Sequence, residues 1–431
     1  MRRKSLARAT TAILLAVACL AQVQAKPVKL TLWSGYPDLQ GFYESVAKEF
    51  TAQNPDITVE VQTFALADLD KKLGMSIPSK TSADILELIS LYSFPWATKY
   101  FSEVPANLKK GCLDVVNKTY LHDVMYGEKM MGLPFCFYSE VLYYNKDMLA
   151  EAGLKGPPDT IEQLVDYATK MTKRDADGNV VRSGISLRFA GNPSGTCEKF
   201  WAFGLMPFGG DILAESAKKP GKFHNGFDNE AGRKALGLYL DLIYKHKVTD
   251  FNIKQDSDAF AQGKAAMLER EQWVVGTLKT AAPGLNYGAS ALPKGTARNT
   301  FAITRNMFVP KAAKDQAAAW KFVSFFYSKP IMERMVRETG WLSTRADLDY
   351  KALLKESPQL LAGIDNPPDL KFIWQKRLTI ENGIMTKMGE EITKLLRDQG
   401  LQGNEAKIRE EIHKLGAIVD DMLKDSDLYA E

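Results

Sequence analysis

Cysteine is scarce in this sequence of 431 residues. Four cysteines are present, and Cys19 lies in an N-terminal segment that we expect to be removed. Cys112, Cys136 and Cys197 then remain, and three cysteines allow at most one intramolecular disulfide with one free thiol. No two of them are closely spaced along the chain. Buried or disulfide-bonded cysteines are therefore favoured over zinc ligands, and we expect no metal site.

A surplus of charge of one sign is also missing. The chain carries 56 Lys and Arg against 52 Asp and Glu, but four of the basic residues and no acidic residue lie within positions 1–25. Without those positions, 56 less 4 leaves 52 basic against 52 acidic residues, so the mature chain is formally neutral. Nucleic acids and anionic membranes call for a basic surplus gathered on one face. The composition therefore argues against both as partners.

Long apolar runs are absent, because the one at residues 11–20 is too short to span a bilayer. Basic residues precede this run, and small residues follow it up to Ala25. This order is typical of a secretory signal peptide, which we place at residues 1–25. We therefore predict that the protein is exported to the periplasm.

Cys19 offers a second route of processing. Residues 16–19 faintly resemble the processing site of a lipoprotein. Cleavage after Ala25 is favoured, because Val23 and Ala25 fit the rule of small residues before the cleavage point. A lipid on Cys19 would instead tether the protein to the membrane.

Sequence motifs of catalysis are absent as well. The four histidines are scattered, and none belongs to a His-Glu-x-x-His pattern. There is no Gly-x-Ser-x-Gly elbow, no phosphate-binding loop of Walker type and no dinucleotide fingerprint after the first strand. The sequence therefore predicts no catalytic residue and no cofactor. A secreted carbohydrate-active hydrolase is the alternative of another class, because the paired carboxylates of a glycosidase leave no local signature.

Patterns of strand and helix alternate along the chain. Apolar residues alternate over residues 28–33, then recur at helical spacing from Phe42 to Phe50, before Asn54 and Pro55 end the helix. Further strands are predicted at residues 57–61, 84–89 and 140–145. This alternation indicates an α/β sheet with crossover helices. About 406 mature residues exceed what one hydrophobic core supports, so two lobes are expected.

Two local patterns lie in the middle of the chain. Thr160 and Gln163 have the spacing of a capping box, in which Gln163 reaches back to the cap residue. Residues 174–179 resemble a calcium-binding loop, but Lys173 and Gly184 stand where its first and last ligands belong. We therefore predict a hairpin turn at residues 174–179.

Aromatic residues stand at the ends of predicted elements. Trp33 ends the first strand, Tyr92 follows the strand that ends near residue 89, and Trp273 and Trp341 lie in later loops. An aromatic ring suits a pyranose, whose axial C–H bonds present an apolar face. A single tryptophan belongs more often to the core, but their positions favour ligand contact for Trp273 and Trp341.

Several stretches of the chain resemble the extracellular solute-binding proteins of ABC importers, a group that contains maltose-binding and glycerol-phosphate-binding proteins. Each stretch is weak alone, but together they follow the order of the family along nearly the whole chain. They are Tyr-Tyr-Asn-Lys-Asp at 143–147 with Ala-Gly-Leu at 152–154 and Pro-Pro at 157–158, the segment 260–267 with Gly-Lys-Ala-Ala-Met, Ala-Trp-Lys-Phe at 319–322, and Thr-Gly-Trp-Leu at 339–342.

The resemblance implies a periplasmic binding protein-like α/β fold with two lobes, a ligand cleft and hinge crossovers. On this chain, the first lobe would cover residues 26–137 plus 296–330, and the second 138–295 plus 331–431. The implied function is capture of a small carbohydrate by a monomer that delivers it to ABC permease subunits with their ATPase. Glycerol 3-phosphate or another anionic polyol derivative is the alternative ligand.

Trp33 is a candidate because it ends the first predicted strand. The resemblance implies further site residues. Trp273 corresponds to the sugar-stacking tryptophan of the family, and Trp341 stands where relatives carry a tyrosine. Ser90 falls where relatives place a polar side chain on the ligand, with Tyr92 just beyond it. Phe137 and Tyr138 flank the first crossover, where a hydroxyl often contacts the solute.

Arg377 would match the anion-contacting arginine of the glycerol-phosphate binders. However, Ile303 and Thr304 replace the glycine pair that those proteins place near the ligand, which argues against a phosphate. A carboxylate, a sulfonate or a pair of hydroxyls would suit Arg377 instead, and a surface salt bridge is the alternative role.

Overall fold

The computed structural model describes residues 27–189, 192–253 and 256–431. The predictions on the signal peptide and on Cys19 lie outside these residues. Within them, no helix has both the length and the apolar character that crossing a membrane requires. The described residues form the mixed α/β structure that the sequence predicts.

Fifteen strands occur in the described residues. They are β1 Val28–Ser34, β2 Ile57–Thr63, β3 Ile85–Ile89, β4 Met125–Tyr126, β5 Lys129–Met130, β6 Leu133–Asn145, β7 Lys173–Arg174, β8 Val180–Arg182, β9 Leu213–Glu215, β10 Phe223–Asn225, β11 Met267–Glu271, β12 Tyr287–Ser290, β13 Asn299–Phe308, β14 Leu342–Ser343 and β15 Lys371–Ile373. Nine of them form one sheet in the order β11-β6-β13-β3-β1-β2, with β12 and β14 paired to β6 and β15 paired to β13.

Sixteen α-helices accompany these strands in the described residues. They are α1 Gln40–Gln53, α2 Leu66–Ser76, α3 Ser90–Ser93, α4 Ala97–Tyr100, α5 Ala106–Leu113, α6 Lys146–Glu151, α7 Ile161–Met171, α8 Pro193–Lys199, α9 Glu230–Leu240, α10 Asp256–Ala261, α11 Val274–Ala281, α12 Gln316–Phe326, α13 Lys329–Thr339, α14 Tyr350–Leu353, α15 Glu381–Leu395 and α16 Glu405–Asp425. Two π-helical segments, Phe200–Leu205 and Asp241–Lys245, continue α8 and α9. Short 3-10 turns lie at Pro37–Leu39, Lys118–Leu121, Met206–Phe208, Pro358–Gly363 and Gln399–Leu401.

Strands β1, β2 and β3 are parallel neighbours at one side of the sheet. Strand β1 lies between the other two, and its Leu32 pairs with Ile85 of β3. Helix α1 connects β1 to β2, as parallel strands require, and buries Phe42, Val46 and Phe50 at helical spacing. The strands and the helix predicted from this part of the sequence are confirmed.

Strands β6 and β13 run antiparallel to each other through the whole sheet. Near its start, Leu133 of β6 pairs with Met307 of β13, whereas its later residues pair with β11 and β12. Strand β13 pairs with β15 at its beginning and with β3 at its end. These two strands therefore connect the side of the sheet that contains β1–β3 with the side that contains β11 and β12.

The predicted boundary between the lobes at residue 137 falls inside β6. The predicted boundary at residue 330 falls inside helix α13, which packs on α1 and α12. Its Arg334 Nη1 lies 2.7 Å from Glu49 Oε2 of α1. These contacts favour placing residues 331–339 with the first lobe. The division into lobes otherwise stays a prediction.

The capping box and the hairpin are found where the sequence predicts them, with one difference. Thr160 Oγ1 accepts the N–H of Gln163 at 3.2 Å, but Gln163 Oε1 accepts the N–H of Asp159 at 2.8 Å rather than that of Thr160. Thr160 forms a β-bridge with Lys294, so the backbone is extended at this point. The N–H group that the Gln163 side chain reaches is then that of Asp159. The hairpin joins β7 to β8.

All three described cysteines are free and buried. The structure therefore contains no disulfide among Cys112, Cys136 and Cys197, a pairing that the sequence had left open. Burial raises the pKa of Cys112 to about 11 and that of the other two still higher. The three thiols are consequently neutral apolar parts of the core.

Candidate ligand-binding cleft

A cavity of about 200 Å³, which we name the cleft cavity, lies between the β1–β3 side and the β11 side of the sheet. It is lined by Tyr36, Leu66, Ile89, Leu91, Tyr92, Tyr138, Arg188, Asn192, Ser194, Gly195, Glu198, Arg270, Glu271, Trp273, Gln375 and Met385. A larger surface groove of about 610 Å³ is lined only by α1, α5, α12 and the residues beside them, all on the β1–β3 side. Contact with both sides makes the cleft cavity the better candidate, because a ligand bound there can hold the two sides together.

Tyr36 and Tyr92 form the wall on the β1–β3 side. Tyr36 follows β1 and Tyr92 follows β3, and the carboxyl ends of parallel strands meet at one edge of a sheet. Burial raises the pKa of Tyr92 to about 12 and raises that of Tyr36 further. Both hydroxyls therefore stay neutral, so that each can donate and accept a hydrogen bond.

Trp273 lies on the opposite wall, directly before α11. Its ring is parallel to that of Trp341, with 6.1 Å between the centroids and 9° between the planes. The guanidinium carbon of Arg270 lies 5.2 Å from the centroid of the Trp273 ring. Trp341 is 2% exposed and does not line the cavity, so it supports Trp273 from the interior.

Arg305 of β13 is fully buried next to this wall. Its guanidinium carbon lies 3.5 Å from the ring centroid of Tyr36 and 4.3 Å from that of Trp341. Arg305 Nε donates to Glu87 Oε1 at 2.7 Å, and Nη2 donates to the Tyr43 hydroxyl at 3.0 Å. Burial alone would lower the pKa of Arg305, but the Glu87 carboxylate outweighs it, so the guanidinium stays charged. Arg305 thus fixes an aromatic residue on each side of the cleft.

Lys199 is buried among three carboxylates beside the cleft cavity. Its Nζ lies 2.7 Å from Glu271 Oε1 and 3.3 Å from Glu198 Oε1, and it also donates to Glu140. Oxygens of these three glutamates lie within 4.8 Å of one another, a spacing that suits a metal ion. The ammonium group of Lys199 already supplies the positive charge that these carboxylates need. We therefore assign no metal to this group.

The glutamates around Lys199 differ in their affinity for protons. Burial raises the pKa of Glu140 well above its usual value and that of Glu269 to about 6. Burial would also raise the pKa of Glu271, but the charges of Arg270 and Lys199 outweigh it and hold that pKa well below its usual value. Glu271 therefore stays ionised and is bound to two cations.

Three of the residues predicted from the sequence line the cleft cavity, namely Tyr92, Tyr138 and Trp273. Trp341 packs behind Trp273, as described above. Ser90 lies between two lining residues and is 1% exposed, and its hydroxyl has no hydrogen-bond partner among the described residues. Contact of these five residues with a ligand stays a prediction.

Trp33 and Phe137 lie outside the cleft cavity. Trp33 Nε1 donates to Gln62 Oε1 at 3.0 Å, and Lys72 Nζ lies 4.2 Å from its ring centroid. Phe137 stacks on Tyr120 with 4.1 Å between ring centroids and lines a separate cavity of about 250 Å³. Side chains alternate between the two faces of a strand, and both residues take the face that does not meet the cleft cavity.

Arg377 also lies outside the cleft cavity. Its Nη1 donates to the backbone oxygens of His122 and Met125, at 2.9 Å each. No carboxylate pairs with Arg377 among the described residues, so the surface salt bridge is not formed either. The guanidinium instead ties the loop that contains Arg377 to the loop at residues 122–125.

Residues 35–333 match the family model described as bacterial extracellular solute-binding protein. The chain belongs to this family. A protein of Brucella abortus (strain 2308), described as a binding protein, is 26% identical to this solute-binding protein over 348 residues, which cover 78% of this chain and 80% of the relative. The galactooligosaccharide-binding protein of Bacillus subtilis (strain 168) is 25% identical over 331 residues, covering 74% and 73%.

A solved structure shares the fold of this chain. An ABC transporter solute-binding protein of Thermotoga lettingae TMO, bound with α-D-tagatose, has a TM-score of 0.73 and 23% identity to this solute-binding protein. The match covers 92% of this chain and all of that chain. It confirms the periplasmic binding protein-like fold.

Sequence reasoning missed most of the polar lining of this solute-binding protein. Tyr36 follows β1 as Tyr92 follows β3, so the position after a parallel strand was a usable signal. Arg270 and Glu271 end β11 just before Gln272 and Trp273, so charged residues this close to a candidate site residue were a second signal. Gln375 carries no local signal, because its place depends on contacts with distant parts of the chain. The same holds for Arg188.

Proposed function

We propose that this protein is the solute-binding component of an ABC importer and that it captures a small carbohydrate in the cleft cavity. The observation that carries this proposal is the lining of the cavity, which comes both from the β1–β3 region of the sheet and from the β11 region. Strands β6 and β13 connect these two regions. A ligand that contacts both sides shifts the population toward the closed arrangement. The exported monomer would then deliver the ligand to a permease with its ATPase.

The lining of the cleft cavity supports a carbohydrate ligand. Trp273 offers an apolar ring surface, and the tyrosines at positions 36, 92 and 138 offer neutral hydroxyls. A sugar presents apolar C–H faces and hydroxyl groups together, so it matches both features. The relatives named above for a galactooligosaccharide and for tagatose support the same class of ligand. In this proposal, Trp273 stacks on the ring, and Ser90, Tyr92 and Tyr138 contact hydroxyls.

Three of the four charged side chains in the lining, those of Glu198, Arg270 and Glu271, have ion partners within the protein. Arg270 Nε lies 2.8 Å from Glu271 Oε2, and Arg270 Nη1 pairs with Asp256. Glu271 also contacts Lys199, as described above. Charges that already have partners gain little from a charged ligand, so these pairs support a neutral sugar or polyol over glycerol 3-phosphate.

The state of the carboxylates supports capture without chemical change. A glycosidase needs two carboxyl groups, one as acid and one as nucleophile or base. Glu271 is bound by Arg270 and Lys199, and Glu198 contacts Lys199 at 3.3 Å. Both carboxylates of the lining are therefore held by cations of the protein, which supports binding without reaction.

A thermal-shift panel of sugars and polyols, with glycerol 3-phosphate included, tests the proposal. A ligand of the native state raises the melting temperature by mass action. We expect a neutral sugar or polyol to do so, and mass spectrometry should recover it unchanged. Conversion of the sugar, or a response to glycerol 3-phosphate alone, would contradict the proposal.

A further inference from the structure

The side chain of Gln375 is buried in the wall of the cleft cavity without a hydrogen-bond partner. Gln375 is 4% exposed and lines the cavity. Its Oε1 is fully buried and has no hydrogen-bond partner among the described residues. A buried amide oxygen that loses its hydrogen bonds to water on folding and gains none in exchange costs free energy. The Gln375 oxygen therefore needs a hydrogen-bond donor.

The backbone around Gln375 is held firmly. The carboxylate of Glu381 accepts the N–H of Lys376 at 3.0 Å and that of Leu378 at 3.3 Å. Lys376 Nζ lies 2.8 Å from Asp211 Oδ2. The loop thus presents the Gln375 amide in a fixed position.

Arg377 ties the same loop to another part of the protein. Its Nη1 binds two backbone oxygens of residues 122–125, as described above. Its φ of 58° lies in the left-handed region, which a residue other than glycine occupies at a cost. Such a conformation persists where the surrounding contacts determine it. The contacts that support it are those that hold Gln375 at the cavity.

We propose that Gln375 contacts the ligand and selects a free hydroxyl group at its position. This inference rests on the proposed function. A hydroxyl both donates and accepts, so it can pair with whichever end of the amide faces the ligand. An ionised phosphate or carboxylate only accepts, so it would leave the Gln375 oxygen unpaired. The ligand is therefore a sugar or polyol whose hydroxyl at this end carries no substituent.

We expect the site to discriminate strongly between a sugar and an analogue that lacks the hydroxyl group at this position. A site built to hydrogen-bond a hydroxyl rejects an analogue that lacks it, because the buried polar group of the site is then left unpaired. The monodeoxy analogues of the sugar found in the thermal-shift panel are the probes. We expect one of them to bind the wild-type protein at least tenfold more weakly than the parent sugar, which corresponds to about 1.4 kcal/mol.

The variant Gln375→Met, which is similar in length and lacks both polar groups, tests the assignment. In this variant, the same deoxy analogue should bind as tightly as the parent sugar, because the hydroxyl has lost its partner. The matched control is Gln399→Met, at an exposed glutamine outside the cavity, which should keep the wild-type profile. The ligand-free Gln375→Met protein should melt no lower than the wild type, since no hydrogen bond within the protein is lost.

The shorter amide of Gln375→Asn provides a second variant, whose discrimination should also fall. Unchanged discrimination against the deoxy analogue in Gln375→Met or in Gln375→Asn would overturn the assignment of Gln375 and leave the proposed function intact. A lower melting temperature of ligand-free Gln375→Met would overturn it too, because the amide would then serve the fold. If no sugar or polyol binds the wild type, the proposed function and this inference both fail.

Discussion

The rings of Trp273 and Trp341 are stacked nearly parallel, with 6.1 Å between centroids and 9° between planes. Trp273 is partly exposed and lines the cleft cavity, whereas Trp341 is 2% exposed. Trp341 also packs edge-on against Tyr138 and lies next to the guanidinium of Arg305. The two tryptophans therefore have different tasks, since Trp273 offers a surface to the ligand and Trp341 keeps that surface in place.

Trp273→Ala should weaken binding of the sugar by about 2 to 4 kcal/mol, the range for a well-packed anchor. This corresponds to about 30- to 1,000-fold in affinity, measured by calorimetric titration. Trp33→Ala, at a tryptophan outside the cavity, is the control and should leave the affinity unchanged. If Trp273→Ala kept wild-type affinity while stably folded, the stacking role would be refuted.

Trp341→Ala should act on stability as well as on binding. Its ring is almost fully buried, so its removal leaves a cavity that costs about 3 to 5 kcal/mol of unfolding free energy. Affinity should fall too, because Trp273 loses its support. Denaturant unfolding and titration of the same variant measure both effects. A variant as stable as the wild type would show that Trp341 is not the interior member of the pair.

Removal of either partner of the buried pair Arg305 and Glu87 should lower the free energy of unfolding. Both side chains are fully buried, and Arg305→Met would leave the Glu87 carboxylate without its cation. Breaking such a pair costs about 3 to 5 kcal/mol of unfolding free energy. The double variant Glu87→Leu with Arg305→Met should lose less stability than the sum of the single variants, as measured in a double-mutant cycle. Additive losses would contradict this coupling.

Glu381 should make the protein less stable as the pH rises. Burial raises its pKa to about 7, above the usual value of 4.5, so the folded protein binds a proton that the unfolded chain releases between these values. The stability from this group is complete below about pH 4.5 and is lost as the pH rises through about 7, by up to about 3 kcal/mol.

The variant Glu381→Gln isolates this contribution. Denaturant unfolding at pH 5 and at pH 8 should show a smaller loss of stability in the variant than in the wild type. Glu390→Gln, at an exposed position of the same helix α15, is the control and should keep the wild-type difference. An equal pH dependence in Glu381→Gln and the wild type would rule out the raised pKa.

Much of the fold could be predicted from local patterns. Alternating apolar residues predicted β1 and β2, and helical spacing from Phe42 to Phe50 predicted α1, because these patterns depend on which face of one element is buried. The ends of parallel strands led to Tyr92. Motifs spread along the chain led to the family and to Trp273.

Which face of the sheet a side chain occupies, and which residues it contacts, depend instead on distant parts of the chain. Phe137 and Tyr138 are neighbours on β6, yet only Tyr138 lines the cleft cavity, since successive side chains point to opposite faces. The sequence does not state which face meets the cleft. Arg305 meets Tyr36 through pairing of β13 with β3, and Gln375 reaches the cavity through a loop held by Glu381. Such positions follow from packing between segments far apart in the chain, which leaves no local pattern to read.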